Sequence, residues 1–321
     1  MRFLSLFLFA WIAFADESAE KALRSPVRSV MDKTDVAPSG DRHDFLSYGP
    51  YWWPNPNSQD GMPYIRKDGF RNLAIIRRGD SDNFSALSGA VETLAHAGEP
   101  RYSENAAHRL RVWFLDPATR MNPHLDYGQA IPGKTKGRGA GLILMRHLIG
   151  ILDALPRLGA AWTATDDQRL KAWMTSYSRW LATSEVAREE RNAANNHGSW
   201  YAAQAMRIHI YLGDQKAARA IAEELPARLD KQITATGEQP LEAARQDGVS
   251  YSLFNLEALT IAASLAQPTG IDLFDHDRLQ LALNFLKPFV QGRQKWPFRQ
   301  LKKVDPAELA RLLTRSHGRL H

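Results

Sequence analysis

Apolar residues recur at helical spacing along most of this chain, and the intervals between the repeating stretches are short. Residues 82–97 place Phe84, Leu87, Val91, Leu94 and Ala95 along one helical face. Asp80, Ser81 or Asp82 can cap that helix and Gly98 can end it. Residues 103–114 follow and stop at Asp116-Pro117. The same spacing predicts helices over 142–155, 165–183, 199–212, 215–225, 251–265, 277–291 and 306–313. Turns as tight as Leu212-Gly213-Asp214 join several of them, and strand signals are nearly absent. Helix pairs in series make an array of αα-hairpins, which can close into a toroid around a groove. No internal repeat stands out, which argues against a regular open solenoid. The expected fold class is all-α, an (α/α) toroid or barrel of antiparallel helix hairpins, with 41–321 as a single domain.

Between the helices lie stretches of another character: 43–72, 121–141, 192–200 and 233–251. Prolines 50, 54, 56 and 63 forbid a helix in the first of them, which also carries Tyr48, Tyr51, Trp52 and Trp53. Long irregular aromatic loops are usually functional, although such a loop can also be a strap over the surface. In a helical toroid the connections crowd one rim, so these four stretches are expected to meet at one site.

The first residues read as an export signal. Met1-Arg2 precedes an apolar run from Phe3 to Phe14, and Ala13-Phe14-Ala15 is a small-x-small cleavage pattern. A periplasmic or secreted protein cleaved after Ala15 is expected, with 16–40 leading into the domain. No later stretch reads as long and apolar enough to span a bilayer, so no stable membrane insertion is expected. Lys and Arg number 41 against 35 Asp and Glu, a net charge of +6. That balance suits an anionic partner, but the basic residues are scattered, which argues against nucleic acid. Cysteine is absent, so thiolate chemistry is excluded.

The densest chemistry is Asn195-Asn196-His197-Gly198-Ser199-Trp200-Tyr201. Two amides and an imidazole offer donors, acceptors and a group that titrates near neutrality. Gly198 would let the backbone approach a ligand. The competing reading is a helix cap, with Asn195 or Asn196 as N-cap and a packed histidine. Farther on, Arg245 and Tyr251 share a loop that ends at a helix start. An arginine can neutralise a carboxylate bidentately, and a tyrosine beside it has its phenolate favoured. The alternatives are an ion pair of Arg245 with Glu242 or Asp247 and a core role for Tyr251. One reaction uses all of these groups. In a uronic acid the proton on C5 can be abstracted once the carboxylate is neutralised, and the bond from C4 to the glycosidic oxygen then breaks. Amide, imidazole and guanidinium suffice for this, so neither metal nor other cofactor is expected.

Five blocks in order also resemble the alginate lyase family of polysaccharide lyases. They are Tyr48-Gly49-Pro50-Tyr51-Trp52-Trp53-Pro54-Asn55-Pro56 with Pro63-Tyr64-Ile65-Arg66-Lys67-Asp68-Gly69; Asn122-Pro123-His124-Leu125-Asp126-Tyr127-Gly128-Gln129 with Gly137-Arg138-Gly139; Asn195-Asn196-His197-Gly198-Ser199-Trp200; Gln239-Pro240-Leu241-Glu242 through Tyr251 to Leu259; and Lys295-Trp296-Pro297-Phe298. The resemblance implies an (α/α) toroid and β-elimination on an acidic polysaccharide, alginate, polymannuronate or a glucuronan-like polymer. It implies that Asn196, His197 and Arg245 neutralise the carboxylate and that Tyr251 transfers protons. For a syn elimination Tyr251 serves as base and acid; with the proton on the opposite face, His197 is the base. Tyr64, Arg66, Gln129 and Arg138 are implied substrate contacts, and Trp52, Trp53 and Trp200 join them as sugar-facing aromatics. After Arg315 the chain is polar, so the toroid is expected to be incomplete, its last helix pair missing or replaced. Two other readings stand beside the lyase. A glycoside hydrolase needs a carboxylate pair across the groove, for which Asp44, Asp68, Asp126 and Asp247 are available. A non-catalytic periplasmic polysaccharide-binding protein needs no such pair.

Overall fold

A computed structural model describes residues 17–316 and 318–320; the expected signal segment and its cleavage point lie outside the described residues. The chain is an α/α toroid. Residues 17–24 form α1, followed by α2 (Leu73–Ile76), α3 (Ser81–Ala97), α4 (Pro100–Leu110), α5 (His147–Ala154), α6 (Ala164–Thr183), α7 (Glu185–Arg191) and α8 (Asn196–Leu212). Then come α9 (Gln215–Gln232), α10 (Pro240–Ala243), α11 (Gly248–Ala266), α12 (Asp277–Val290) and α13 (Pro306–Arg315). Helices α3, α5, α8, α11 and α13 pack in that order as an inner row, while α4, α9 and α12 back onto α3, α8 and α11. Left-handed Gly98 and Gly213 end α3 and α8 and turn the chain into the next helix of each hairpin.

Burial explains the row. α8 is covered on nearly every side. Tyr201, Ala205 and Ile208 join the apolar core built around α3 to α6, and Trp200, Ala203 and Met206 join the one built around α9, α11 and α12. A helix apolar all round belongs inside, and α8 ties the two cores together.

The helices depart from the expected limits in informative ways. α8 begins at Asn196 rather than 199, and α11 at Gly248 rather than 251. α9 continues through Pro226 to Gln232 instead of stopping at 225. Burial of Leu225 and Leu229 outweighs the hydrogen bond that proline removes. α7 was not expected at all. The stretch 142–155 is a 3₁₀ segment (Gly139–Arg146), then α5, then a second 3₁₀ segment (Leu155–Ala161). By length and composition, Gly139–Ala161 and Gly248–Thr269 are both apolar enough to cross a membrane. That corrects the expectation that no later stretch is; both are mostly buried inside the fold.

Strand is confined to the rim. β1 (Leu46–Tyr48) pairs in parallel with β4 (Tyr127–Ala130), and β2 (Trp52–Trp53) pairs antiparallel with β3 (Ile65–Arg66). The first pair fastens the 43–72 stretch to the 121–141 stretch. The end of the chain is less bare than expected: Leu309, Leu312 and Leu320 are buried, and α13 packs on α11.

Residues 17–40, read from sequence as a lead-in, are folded onto the body. Ala19 and Val30 are fully buried, and Lys33 lies beside Asp80 at 3.2 Å with both side chains fully enclosed. Lys33 also donates to the carbonyl oxygen of Arg42 (2.7 Å), and Asp80 accepts from the Leu46 amide (3.0 Å). This one pair thus joins the N-terminal segment, β1 and the start of α3. Lys33→Met leaves Asp80 enclosed without its counter-charge and should cost about 3–5 kcal/mol in urea unfolding. Lys33→Met with Asp80→Leu should recover most of that loss.

Candidate active site

The four irregular stretches converge on one cavity of about 940 Å³. Tyr51, Trp52 and Arg66 line it from the first loop and Gln129 and Arg138 from the second. Asn196 and His197 line it from the start of α8, and Arg245 and Tyr251 from the fourth stretch and the start of α11. Seven Lys and Arg side chains face four Asp and Glu on its walls, so the cavity is more basic than the chain as a whole.

Each central side chain is held by a partner. The Tyr251 hydroxyl lies 2.6 Å from that of Tyr51, and the Arg245 guanidinium sits 3.7 Å from the centre of the Tyr251 ring. Arg245 is itself bonded through Nε and Nη2 to Asp68, at 3.1 and 2.9 Å. Burial alone would raise the Asp68 carboxyl, but Arg245 and Arg66 hold it below its usual range. His197 Nδ1 meets the buried carboxylate of Glu190 at 2.7 Å, which leaves Nε2 as the free nitrogen of the ring. Asn196 donates its backbone N–H (2.6 Å) and its amide (2.9 and 2.8 Å) to Glu242. Burial pushes both Glu190 and Glu242 upward, against the pull of these donors.

Two sequence expectations change here. Burial first, and Tyr51 second, push the Tyr251 phenol well above its usual value, and the adjacent Arg245 does not offset them. Tyr251 therefore holds its proton at rest, contrary to the favoured phenolate expected from sequence. Arg245 pairs with Asp68 across 177 positions of sequence rather than with Glu242 or Asp247.

The profile of the alginate lyase family matches residues 29–296. The chain belongs to the alginate lyase family. It is 40% identical to an alginate lyase from Bacteroides ovatus of known crystal structure, with a TM-score of 0.90 over 95% of this chain and 84% of that one. It also shares its fold with alginate lyase A1-III from Sphingomonas species A1, at 15% identity and a TM-score of 0.52 over 87% of this chain and 77% of that one. A histidine-to-alanine variant of alginate lyase A1-III in complex with a tetrasaccharide gives 16% identity and a TM-score of 0.54, over 85% and 72% of the two chains. No curated protein sequence matches the chain. Membership makes it a polysaccharide lyase.

Within this alginate lyase fold, most residues singled out from sequence meet at the cavity. Gln129 carries φ of 47°, a strained value for a side chain with a Cβ, and its Oε1 accepts from Arg138 Nη2 at 2.6 Å. Three expected contacts lie elsewhere. Trp200 is a core residue, 4% exposed and packed on Phe254 at 4.9 Å. Trp53 follows Trp52 on β2, so the two point to opposite faces; its Nε1 donates to the Phe70 carbonyl. Tyr64 does not line the cavity; its backbone N–H pairs with the Pro132 carbonyl.

Asn195 is the N-cap of α8, accepting from the His197 amide at 3.2 Å. The cap reading thus holds for Asn195, while its neighbours Asn196 and His197 line the cavity. Gly198 serves packing rather than ligand approach, since a Cβ there would strike the Ala193 carbonyl oxygen and Arg228. Arg228, from the unexpected extension of α9, donates to the carbonyls of Ala193 and Arg191 (2.9 Å each) and so fixes the turn before the cap. Sequence reasoning gave no role to Tyr51, Glu190 or Arg146. Tyr51 stood inside a quoted block, whereas Glu190 and Arg146 lie outside every block.

Of the carboxylates available to a hydrolase, only Asp247 lines the cavity, and it accepts from the backbone of Leu301 and Lys302. Asp68 is tied to Arg245, Asp44 to Asn122 and His124, and Asp126 to Trp180. Among the described residues no group of His, Asp and Glu side chains could hold a metal ion. Gly198→Ala should lower stability by about 1–3 kcal/mol through overpacking and reduce lyase activity by shifting the α8 cap. Exposed Gly89, inside α3 with open space beside it, is the control: Gly89→Ala should raise stability by about 0.5–1 kcal/mol in the same thermal unfolding assay.

Proposed function

We propose that this polysaccharide lyase is exported and cleaves an acidic polyuronate, alginate-like or glucuronan-like, by β-elimination. The observation that carries the reading is the pairing in one basic cavity of a protonated tyrosine with a histidine whose Nε2 is free. His197 Nε2 takes the C5 proton, with Glu190 holding the ring and stabilising the imidazolium that forms. The electrons of the C5–H bond become the C4–C5 double bond as the bond from C4 to the glycosidic oxygen breaks. The Tyr251 hydroxyl gives its proton to that leaving oxygen, and Tyr51 is placed to pass a replacement from solvent. Arg245, stacked on Tyr251, and Arg138 supply positive charge where the uronate carboxylate gains electron density. Asn196 is held by Glu242 beside them, which supports a role in orienting the site. The basic lining suits a repeating anionic polymer. The signal-like first 15 residues support export; intact-mass measurement of protein from the periplasm or medium should give a chain beginning at Asp16.

The direct test is near-ultraviolet absorbance of the unsaturated uronide during incubation with polymannuronate, polyguluronate and glucuronan. Absorbance should rise with at least one of them. Tyr251→Phe, which keeps the ring over Arg245 and removes the proton, should lower kcat by about 10²–10⁴-fold. A folded wild-type protein that binds these polymers and leaves the trace flat on all of them would remove the polyuronate reading.

A further inference from the structure

The cavity contains one cation whose position has no structural explanation. Arg245 and Arg66 are bonded to Asp68, Lys302 to Asp247, and Arg138 to Gln129. Arg71 and Lys303 reach the cavity from exposed positions. Arg146, the last residue of the 3₁₀ segment before α5, is half-buried and lines the cavity. It donates one hydrogen bond, from Nη1 to the Ile143 carbonyl at 2.9 Å. Its guanidinium otherwise lies against the faces of Phe254 (5.5 Å) and Trp200 (6.0 Å). No carboxylate stands at ion-pair distance among the described residues. Glu257, whose charge acts on it from farther off, is paired with Arg315 at 3.0 Å.

A guanidinium carries five N–H donors, and one acceptor leaves most of them unmatched. Even partial burial of such a group without a counter-charge is costly. Arg71, a second cation on the cavity wall, adds like charge to the same neighbourhood. An incoming anion would relieve all three costs together.

The helices place that anion relative to the reaction. Phe254 follows Tyr251 by three positions on α11, and Trp200 follows Asn196 and His197 by four and three on α8. Such residues share a helix face one turn apart, about 5.4 Å along the axis. Arg146 rests on both aromatic side chains, so its charge sits about one helical turn below the groups that move protons. We propose that Arg146 anchors the carboxylate of the uronate unit adjacent to the one that is cleaved. This rests on the polyuronate reading above and adds to it a second carboxylate that the enzyme recognises, so the polymer must be acidic at consecutive units.

The test compares wild type, Arg146→Gln and Arg146→Lys on oligosaccharides of whichever polyuronate the wild type cleaves. Anchoring a non-reacting unit contributes equally to ground and transition states, so its loss appears in KM. Arg146→Gln should raise KM about 30-fold or more with kcat within about twofold. Arg146→Lys keeps the charge without the fork and should raise KM by roughly a tenth as much. Affinity for a carboxyl-reduced oligosaccharide, which lacks the charge, should be the same in all three proteins. A KM equal to wild type in Arg146→Gln overturns the proposal, and Arg146→Lys decides in the same way where the Gln protein does not fold. A fall in kcat at unchanged KM also overturns it, because it would place Arg146 on the reacting unit. A wild-type protein inactive on every polyuronate would instead fail the underlying reading before any variant is compared.

Discussion

The buried clamp between α8 and α11 is the interaction on which the site depends. Ser199 Oγ donates to Gln232 Oε1 (2.9 Å), and Asn255 Nδ2 donates to Gln232 Oε1 (3.0 Å) and to Gln239 Oε1 (2.7 Å). Gln239 Nε2 donates to the Ser252 carbonyl, and Gln232 Nε2 to that of Asn195. These amides join the first turn of α8, the first half of α11, the end of α9 and the start of α10, which carries Glu242. Glu242 then reaches back to Asn196 and completes the circuit. Each such bond contributes only about 1 kcal/mol net, but a buried partner left unmatched costs about 1–3 kcal/mol. The network therefore tolerates few rearrangements and fixes the spacing between His197 and Tyr251. Apolar packing alone would bring the two helices together without specifying their register so closely.

The second wall of the cavity has a different origin. Loop residues Tyr51, Arg66 and Asp68 have no helix behind them, and their positions follow from backbone pairing. β2 pairs with β3, the Lys67 N–H donates to the Tyr51 carbonyl (2.8 Å), and the Asn72 N–H donates to that of Pro50 (2.7 Å). β1 ties the loop to β4, where close approach of Gly128 and Gly141 leaves no room for a Cβ on Gly141. That contact explains Gly128 and Gly141, whereas Gly137 lies against the Asp126 carbonyl and Gly139 against the Glu190 backbone. Asp68 then bridges the walls by binding Arg245, which stacks on Tyr251.

Legibility followed the range over which each feature is determined. Helix spacing, capping and turn glycines are local, so the all-α hairpin array and most of its helices were readable. The residues that meet at the cavity were readable where a block of unusual composition carried them, as with Asn196, His197 and Tyr251. Pairings across the fold were not. Nothing near Arg245 in the sequence points to Asp68, and Glu190, although only seven residues before His197, lies on a helix that the spacing does not predict. Trp200 was misplaced because an aromatic one turn past Asn196 and His197 looks the same from sequence whether it faces the cavity or the core. The protonation of Tyr251 was misjudged for a related reason. The neighbouring charge is visible in the sequence, whereas the burial that outweighs it exists only once the loop has closed over the helix start.

The placement of the chemistry at helix starts adds a further physical element. Asn196 and His197 open α8, and Tyr251 lies in the first turn of α11. Both helices turn their N-terminal ends to the cavity, where the helix dipole favours negative charge, although the N–H groups of Asn196, His197, Gly248 and Val249 already have protein acceptors. That field favours an anionic polymer whatever partners the arginines hold. It also explains why Arg245 can be committed to Asp68 without leaving the site poor in positive charge. The ion pair orients the guanidinium against the Tyr251 ring, and the helix ends add to the positive field of the cavity. The orientation of Tyr251 and the electrostatic field of the cavity are thus set by different parts of the fold.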